Sequence, residues 1–197
     1  MPQLPPVTKA FLLACVALYC LPFVLPPARY WYGWLELWPI ASGNFFPWQV
    51  ITYAFLHAED NFFHIFFNML GLWMFGSELE RVWGGKRYTQ ILVASTLSAA
   101  FVQLLITYLM GSMSPTIGAS GALYGLLLSF GMLFPDRIIV PLIPPIPMKA
   151  KYFVAIFGAL ELFLGYRNRD GVAHFAHLGG MLGAWLLIRY WRGSRRR

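Results

Sequence analysis

The sequence has few charged residues and few cysteines. Only 12% of its 197 residues are charged, about half the share that a soluble domain usually carries. This shortage, together with a hydrophobic content of 58%, excludes an ordinary soluble domain and indicates an integral membrane protein. Cys15 and Cys20 lie five residues apart on one expected helix and point in different directions, which argues against a disulfide or metal site.

Long apolar runs predict helices that cross the membrane, because a helix needs about 20 residues to span the hydrocarbon core. The uncharged stretch from Tyr88 to Pro135 is too long for one span and divides at its Gly/Ser/Pro-rich centre. We therefore predict six spans, over residues 10–27, 61–81, 88–110, 118–134, 151–165 and 171–190. Alternating ten-residue segments of the kind that build strand barrels are absent from the sequence. The expected fold is an all-α bundle, one membrane domain over 1–197 with a first loop at 28–60.

Basic residues orient the predicted bundle, because Lys and Arg are retained on the cytoplasmic side. With the N-terminus inside, only Arg29, Arg167 and Arg169 of the 15 basic residues lie outside. Both termini are then cytoplasmic, and the expected location is a bacterial inner membrane. The net charge of +7 is explained by this topology and by contact with anionic lipid. Basic residues do not alternate with aromatic ones, which argues against nucleic acid as a partner.

The first loop contains four of the eight tryptophans: Trp31, Trp34, Trp38 and Trp48. Indole rings prefer the headgroup region, so the loop is expected to lie partly sunk in the outer leaflet. A small water-exposed lobe is the alternative.

Polar residues inside the spans are candidate site residues, because each is costly in lipid. They are His64 and Asn68 in span two, Ser120 in span four, and His174 and His177 in span six. The topology puts the first residues of these three spans on the same outer side, so the five side chains should meet. Taken singly, each is more often a packing residue. However, small residues recur at helix-contact spacing around Ser120 and His177 (Gly118, Gly121, Gly125; Ala176, Gly180, Ala184), which should let the two backbones approach closely.

Several motifs occur in order along the chain. Gly118-Ala119-Ser120-Gly121 is followed by Tyr124; His64-x-x-x-Asn68 by Gly76-x-x-x-Glu80; and the last predicted span contains Ala176-His177-x-x-Gly180. A nucleophile elbow of a soluble hydrolase is excluded because no strand precedes Thr116. Together the motifs resemble the rhomboid family of intramembrane serine proteases. Where many members have Trp-Arg in the first loop, this chain has Trp48-Gln49.

The resemblance implies a catalytic dyad, with Ser120 as nucleophile and His177 as general base. The residues agree with a dyad, since spans two, four and six have no carboxylate beside these groups. The resemblance further implies an oxyanion hole formed by the Ser120 N–H, His64 and Asn68. Tyr124 would stack on His177, while Gly118 and Gly121 would permit the tight entry of the backbone. The implied substrates are transmembrane segments of other membrane proteins, and no cofactor or metal is expected.

The sequence leaves alternatives open. His174 lies three residues before His177 and could serve as the base, although we expect it to line the water entry. Glu161 in span five is interpreted as a structural hydrogen-bond acceptor, with a gating role as the other reading. A non-catalytic protein that binds clients or thins the bilayer is the alternative function. A channel or transporter is less favoured, since no inverted repeat appears.

Overall fold

The computed structural model describes residues 3–142, 144–167 and 173–194. Its α-helices are α1 (Pro6–Val24), α2 (Arg29–Tyr32), α3 (Gln49–Thr52), α4 (Phe62–Gly71), α5 (Ser77–Met110), α6 (Ser120–Leu133), α7 (Ala150–Arg167) and α8 (His174–Ser194). Short 3-10 turns cover Pro26–Ala28, Ile40–Ser42 and Tyr53–Phe55. Arg169, Gly171 at the expected start of span six, and the three C-terminal arginines lie outside the described residues.

The fold is mostly helical, and the expectation of an all-α chain needs one correction. A short antiparallel hairpin, β1 (Ile138–Ile139) with β2 (Met148–Lys149), connects α6 to α7. Each strand has two residues, which is too short for the alternation that identifies strands in a sequence.

Helices α4 and α5 are continuous through a π-helical turn at Leu72–Gly76. Gly84 interrupts α5 with a φ of 75° and a ψ of 159°, a left-handed value that favours glycine. Two helical stretches of the described residues, Pro6–Val24 and Phe62–Met110, are long and apolar enough to cross a membrane, and Ser120–Leu133 is apolar but shorter. The kink at Gly84 lies between the predicted second and third spans.

Glu80 joins the beginning of α1 to α5. The buried carboxylate accepts hydrogen bonds from the backbone N–H groups of Val7 (2.9 Å) and Thr8 (2.7 Å) and from the Thr8 hydroxyl (2.7 Å). The first N–H groups of a helix have no acceptor within the helix. Glu80 therefore caps α1 from a neighbouring element.

Small residues set the closest helix contacts. A Cβ atom built on Gly180 of α8 would overlap the carbonyl oxygen of Gly121 in α6, and one on Gly125 would lie 2.9 Å from the Gly180 carbonyl oxygen. The expected contact between the two small-residue faces is therefore confirmed. The structure adds a second small face on α8, since a Cβ on Gly179 would lie 2.9 Å from the Ser98 carbonyl oxygen of α5.

Large apolar side chains are exposed over much of the surface, including Leu13 of α1 (58%), Phe101 of α5 (69%) and Tyr190 of α8 (71%). Trp31 in the first loop is 68% exposed. Exposed apolar area of this extent is expected where lipid, and not water, surrounds the helices.

Gln49 fixes the first loop from inside. Its fully buried side chain accepts a hydrogen bond from the Trp38 N–H (3.2 Å) and donates to the Asn44 carbonyl oxygen (3.1 Å). The neighbouring Trp48 is half exposed and donates from its indole to the Trp34 carbonyl oxygen at 2.8 Å. The Trp48-Gln49 pair thus holds the loop together through amide and indole hydrogen bonds.

The first loop is also joined to the segment that leads into α6. Leu37 and Thr116 exchange two backbone hydrogen bonds of 3.0 Å, and the Gly118 N–H donates to the Tyr53 carbonyl oxygen at 3.0 Å. Ser120 therefore follows directly on backbone that the loop holds in place.

Candidate active site

Ser120 and His177 lie at hydrogen-bond distance. Ser120 is the first residue of α6, His177 lies in the first turn of α8, and the Ser120 Oγ to His177 Nε2 distance is 2.8 Å. The close approach of α6 and α8 at Gly121 and Gly180 makes this distance possible. His177 is 8% exposed, so its ring nitrogens have little access to bulk solvent.

Tyr124 fixes the plane of the His177 ring. It lies one turn after Ser120, and the two rings stack at a centroid distance of 4.3 Å and an angle of 4°. The Tyr124 hydroxyl donates a hydrogen bond to Glu161 Oε1. Because Tyr124 covers one face of the His177 ring, the polar groups around His177 contact it at its edge, through Nδ1 and Nε2.

Glu161 brings a carboxylate to the other edge of His177. The Glu161 Oε2 to His177 Nδ1 distance is 2.9 Å, but the two groups are not aligned as in a hydrogen bond. The same oxygen lies 2.7 Å from Nδ1 of His174, and the carboxyl group is buried. The reading of Glu161 as a hydrogen-bond acceptor agrees with these contacts, but the sequence did not indicate that it meets His177.

His174 lies next to the Ser120–His177 pair but contacts Glu161. Its side chain is buried, and its ring is perpendicular to that of His177 at a centroid distance of 6.3 Å. Glu161, His174 and His177 present three ligand atoms within 4.8 Å of one another, so among the described residues this group could hold a metal ion. The 2.7 Å separation between Glu161 Oε2 and His174 Nδ1 is that of a hydrogen bond, which favours a hydrogen-bonded cluster.

His64 faces Ser120 from α4. Asn61 caps this helix by accepting a hydrogen bond from the His64 N–H (3.3 Å), which puts His64 in the first turn. The Ala58 N–H donates to His64 Nδ1 at 3.3 Å, so a neutral His64 has its proton on Nε2. A Cβ built on Gly118 would lie 2.7 Å from His64 Nε2 and 3.7 Å from Ser120 Oγ. The absent side chain of Gly118 thus leaves a space that both groups border.

Gly118 is required there for its backbone as well, because its φ is 124°, a region that side chains disfavour. As the first residue of a helix, Ser120 has an N–H without an acceptor inside that helix. This N–H and the positive end of the α6 dipole are available near the same space.

Asn68 is linked to the site through His64. It is 5% exposed, and its amide nitrogen donates to the His64 carbonyl oxygen at 2.8 Å. Its amide oxygen has no partner within the part of the chain that the structure describes. The second amide proton remains for another acceptor.

His57 is a neighbour of the site that sequence reasoning missed. It is 2% exposed, and its ring lies 5.1 Å from that of His64. Burial, followed by the nearby His64 ring, lowers the pKa of His57 to about 4, so the ring is neutral at pH 7. Its position in the irregular first loop left no periodic pattern to find it by.

A signal for Glu161 was present in α7. Gly158, Glu161 and Gly165 have the i, i+3, i+7 spacing of one helix face. A Cβ on Gly158 would lie 3.6 Å from the Met181 sulfur, and one on Gly165 would lie 3.2 Å from the His174 Cβ. Read as a contact face, this spacing would have directed Glu161 toward α8.

A cavity of about 360 Å³ lies elsewhere, between α1, α3 and α5. Phe11, Ala54 and Leu92 are among the residues that line it. Its lining is apolar and includes neither Ser120 nor His177, so it is not part of the polar cluster.

Comparison with known proteins gives consistent results. The model of the Rhomboid domain family matches residues 45–193. The chain is 30% identical over 155 residues to Rhomboid protein 1, mitochondrial, of Saccharomyces cerevisiae, covering 76% of this chain and 44% of that protein. It is 27% identical over 192 residues to Rhomboid protease GlpG of Yersinia pestis, covering 96% of this chain and 63% of the relative. The chain therefore covers less than half of the first relative and less than two thirds of the second.

Proposed function

The chain belongs to the rhomboid family, and on that premise we propose that it is an intramembrane serine endopeptidase. Its substrates are transmembrane segments of other membrane proteins. The observation that carries the proposal is the 2.8 Å distance between Ser120 Oγ and His177 Nε2. A serine hydroxyl is a weak nucleophile, and a base within hydrogen-bond reach is what activates it.

In the proposed reaction His177 accepts the Ser120 proton as Oγ attacks the peptide carbonyl carbon. The carbonyl electrons move to oxygen, giving a tetrahedral oxyanion. Its collapse breaks the peptide bond, and His177 returns the proton to the leaving amine. Water, activated by the same imidazole, then hydrolyses the acyl-enzyme. The Tyr124 stack supports this role, since it keeps the ring in one plane through both proton transfers.

We assign the oxyanion hole to the Ser120 N–H, His64 and Asn68. The proton that His64 carries on Nε2 borders the Gly118 space, which supports its role as a donor. The Asn68 amide donates one hydrogen bond to the His64 carbonyl oxygen and has a second proton that it can donate to the oxyanion. Donors that are already aligned stabilise the charge that develops in the transition state without reorganisation.

The protein is a multi-pass membrane protein, and we propose that it crosses the bilayer six times with both termini in the cytoplasm. The second span consists of α4, the π-helical turn and the part of α5 before Gly84, and the third is the part of α5 after Gly84. The other four spans correspond to α1, α6, α7 and α8. The exposed apolar side chains of α1, α5 and α8 support this arrangement. The tryptophan-rich first loop then lies at the outer interface.

A helical substrate hides its carbonyl groups in its own hydrogen bonds, so the segment to be cleaved must unwind locally. We propose that substrates enter laterally from the lipid. A small residue before the scissile bond is implied by the family resemblance.

The test is cleavage of a fluorescent single-span substrate by the reconstituted protein. Wild type should cleave, and Ser120→Ala and His177→Ala should each reduce the rate to background. Labelling by a fluorophosphonate should require Ser120. Cleavage by Ser120→Ala at the wild-type rate, or no cleavage by wild type, would refute the protease function.

A further inference from the structure

The Glu161 carboxylate lies between the Tyr124 hydroxyl and ring nitrogens of His174 and His177. Oε1 accepts the Tyr124 hydroxyl, while Oε2 lies 2.7 Å from His174 Nδ1 and 2.9 Å from His177 Nδ1. Helix α7 therefore supplies an acidic group that meets side chains of both α6 and α8 at the site. A carboxylate is costly inside a membrane bundle unless it has partners or a function, and hydrogen bonds to a charged group are strong.

The position of this carboxylate decides where the proton of His177 lies. An ionised carboxylate only accepts, so a neutral imidazole whose Nδ1 faces it has its proton on Nδ1. Nε2 of the same ring then presents a lone pair to Ser120 Oγ, 2.8 Å away. The opposite tautomer would direct Nε2–H at the serine and leave two acceptors facing each other at 2.9 Å.

We propose that Glu161 is the positioning residue of a Ser120–His177–Glu161 triad, an inference that rests on the proposed protease function. The carboxylate holds the His177 proton on Nδ1 and stabilises the imidazolium that forms when Nε2 takes the serine proton. Glu161 itself neither gains nor loses a proton. The Ser120 proton travels to His177 Nε2 and from there to the leaving amine.

The Glu161 Oε2 to His177 Nδ1 contact of 2.9 Å is misaligned. Hydrogen bonds between catalytic groups often become aligned only when substrate is bound, so the misalignment agrees with a positioning role for Glu161. His174 shares the same oxygen and holds it between the two rings. The polar groups that surround His177 are thus Ser120 and Tyr124 from α6, Glu161 from α7, and His174 on its own helix, with His64 across the site on α4.

The competing explanation is that Glu161 only ties α7 to its neighbours. Two substitutions separate charge from shape. Glu161→Gln keeps the size of the side chain but removes the negative charge, whereas Glu161→Asp keeps the charge on a shorter chain. The matched control is Glu80→Gln, which neutralises another buried carboxylate, one that caps α1 away from Ser120.

The experiment measures kcat and KM on the fluorescent single-span substrate, with enzyme concentration taken from the final extent of fluorophosphonate labelling. Replacing the acidic member of a catalytic triad lowers kcat by up to about 10⁴-fold. Replacing a residue that only orients a functional histidine typically lowers activity by about 10- to 100-fold. We therefore expect Glu161→Gln to lower kcat by roughly 10²-fold with KM unchanged. Glu161→Asp should recover part of that loss. Glu80→Gln should lower the melting temperature and keep the wild-type kcat.

Three results would overturn the triad: a wild-type kcat for Glu161→Gln, a kcat for Glu161→Gln above that of Glu161→Asp, or a loss matched by Glu80→Gln. In each case Ser120→Ala would still be inactive and wild type active, so the protease function would stand. Cleavage by Ser120→Ala would instead remove the proposed function itself.

Discussion

Adding one methyl group at Gly180 should separate the nucleophile from its base. Alanine at this position puts its Cβ into the carbonyl group of Gly121, overlapping the oxygen and lying 2.7 Å from the carbon. Both atoms belong to the backbone of α6, so no side chain can move aside. The two helices have to move apart, and they do so one residue from Ser120 and one turn from His177.

The size of the effect follows from these distances. Carbon atoms rest at about 3.5–4.0 Å, so relief of the overlap requires a shift of about 1 Å. Such a shift lengthens the 2.8 Å contact between Ser120 and His177 beyond hydrogen-bond range. Misplacement by 1 Å can cost about 10²-fold in rate. Overpacking of this kind typically lowers the free energy of unfolding by about 1–3 kcal/mol.

The assay compares Gly180→Ala with Gly193→Ala by substrate cleavage and thermal unfolding. Gly193 is on the same helix, and a Cβ there meets nothing within 4 Å, so its substitution should preserve rate and stability. Wild-type cleavage and melting by Gly180→Ala would refute the claim that the backbone contact between α6 and α8 sets the site geometry.

Three further changes test neighbouring parts of the site. Gly118→Ala should lower turnover by at least about 10-fold, because its Cβ would lie 2.7 Å from His64 Nε2 and displace an oxyanion donor. Gly111→Ala, also at a positive φ but with nothing within 4 Å, should strain the backbone yet keep its turnover; equal losses would contradict a steric role at Gly118. Asn68→Ala should lower turnover by about 10²-fold with fluorophosphonate still attached to Ser120, and an unchanged rate would remove Asn68 from the oxyanion hole. The pKa of His57 falls from 6.5 to about 4 on folding, so the unfolded state binds more protons between these values, and acidification from pH 7 to pH 4 should cost up to about 3 kcal/mol. The melting temperature of His57→Phe should therefore fall less over this range than that of wild type, and parallel curves would rule the assignment out.

The helix contacts around the site were predictable because they depend on local spacing. Small residues at intervals of three and four mark a helix face whatever lies opposite, and Gly121 and Gly180 do meet. The sequence also predicted that residues from the starts of three spans should converge. The 2.8 Å distance between Ser120 and His177 is the structural counterpart of that expectation, while their catalytic roles stay proposals.

What the sequence did not indicate depends on the relative shift of helices and on irregular backbone. The spacing of Gly158, Glu161 and Gly165 marks the face of α7 that contacts α8, but it does not reveal that Glu161 meets His177, which depends on how the two helices are shifted against each other. His57 and Gln49 lie in the first loop, where no period exists to reveal which side chains are buried. The hairpin at Ile138–Ile139 and Met148–Lys149 is too short to leave a pattern.

The backbone bonds of the first loop have a mechanical consequence for the nucleophile. The loop holds the segment before α6 by three hydrogen bonds of 3.0 Å, two between Leu37 and Thr116 and one from Gly118 to Tyr53. At about 1 kcal/mol each, these bonds resist a displacement of the loop with roughly 3 kcal/mol. Lifting the loop therefore either breaks them or carries Ser120 along. While these bonds hold, the loop and Ser120 move together, and a displacement of the loop at the membrane surface reaches the reacting oxygen through only two residues of chain beyond the last bond.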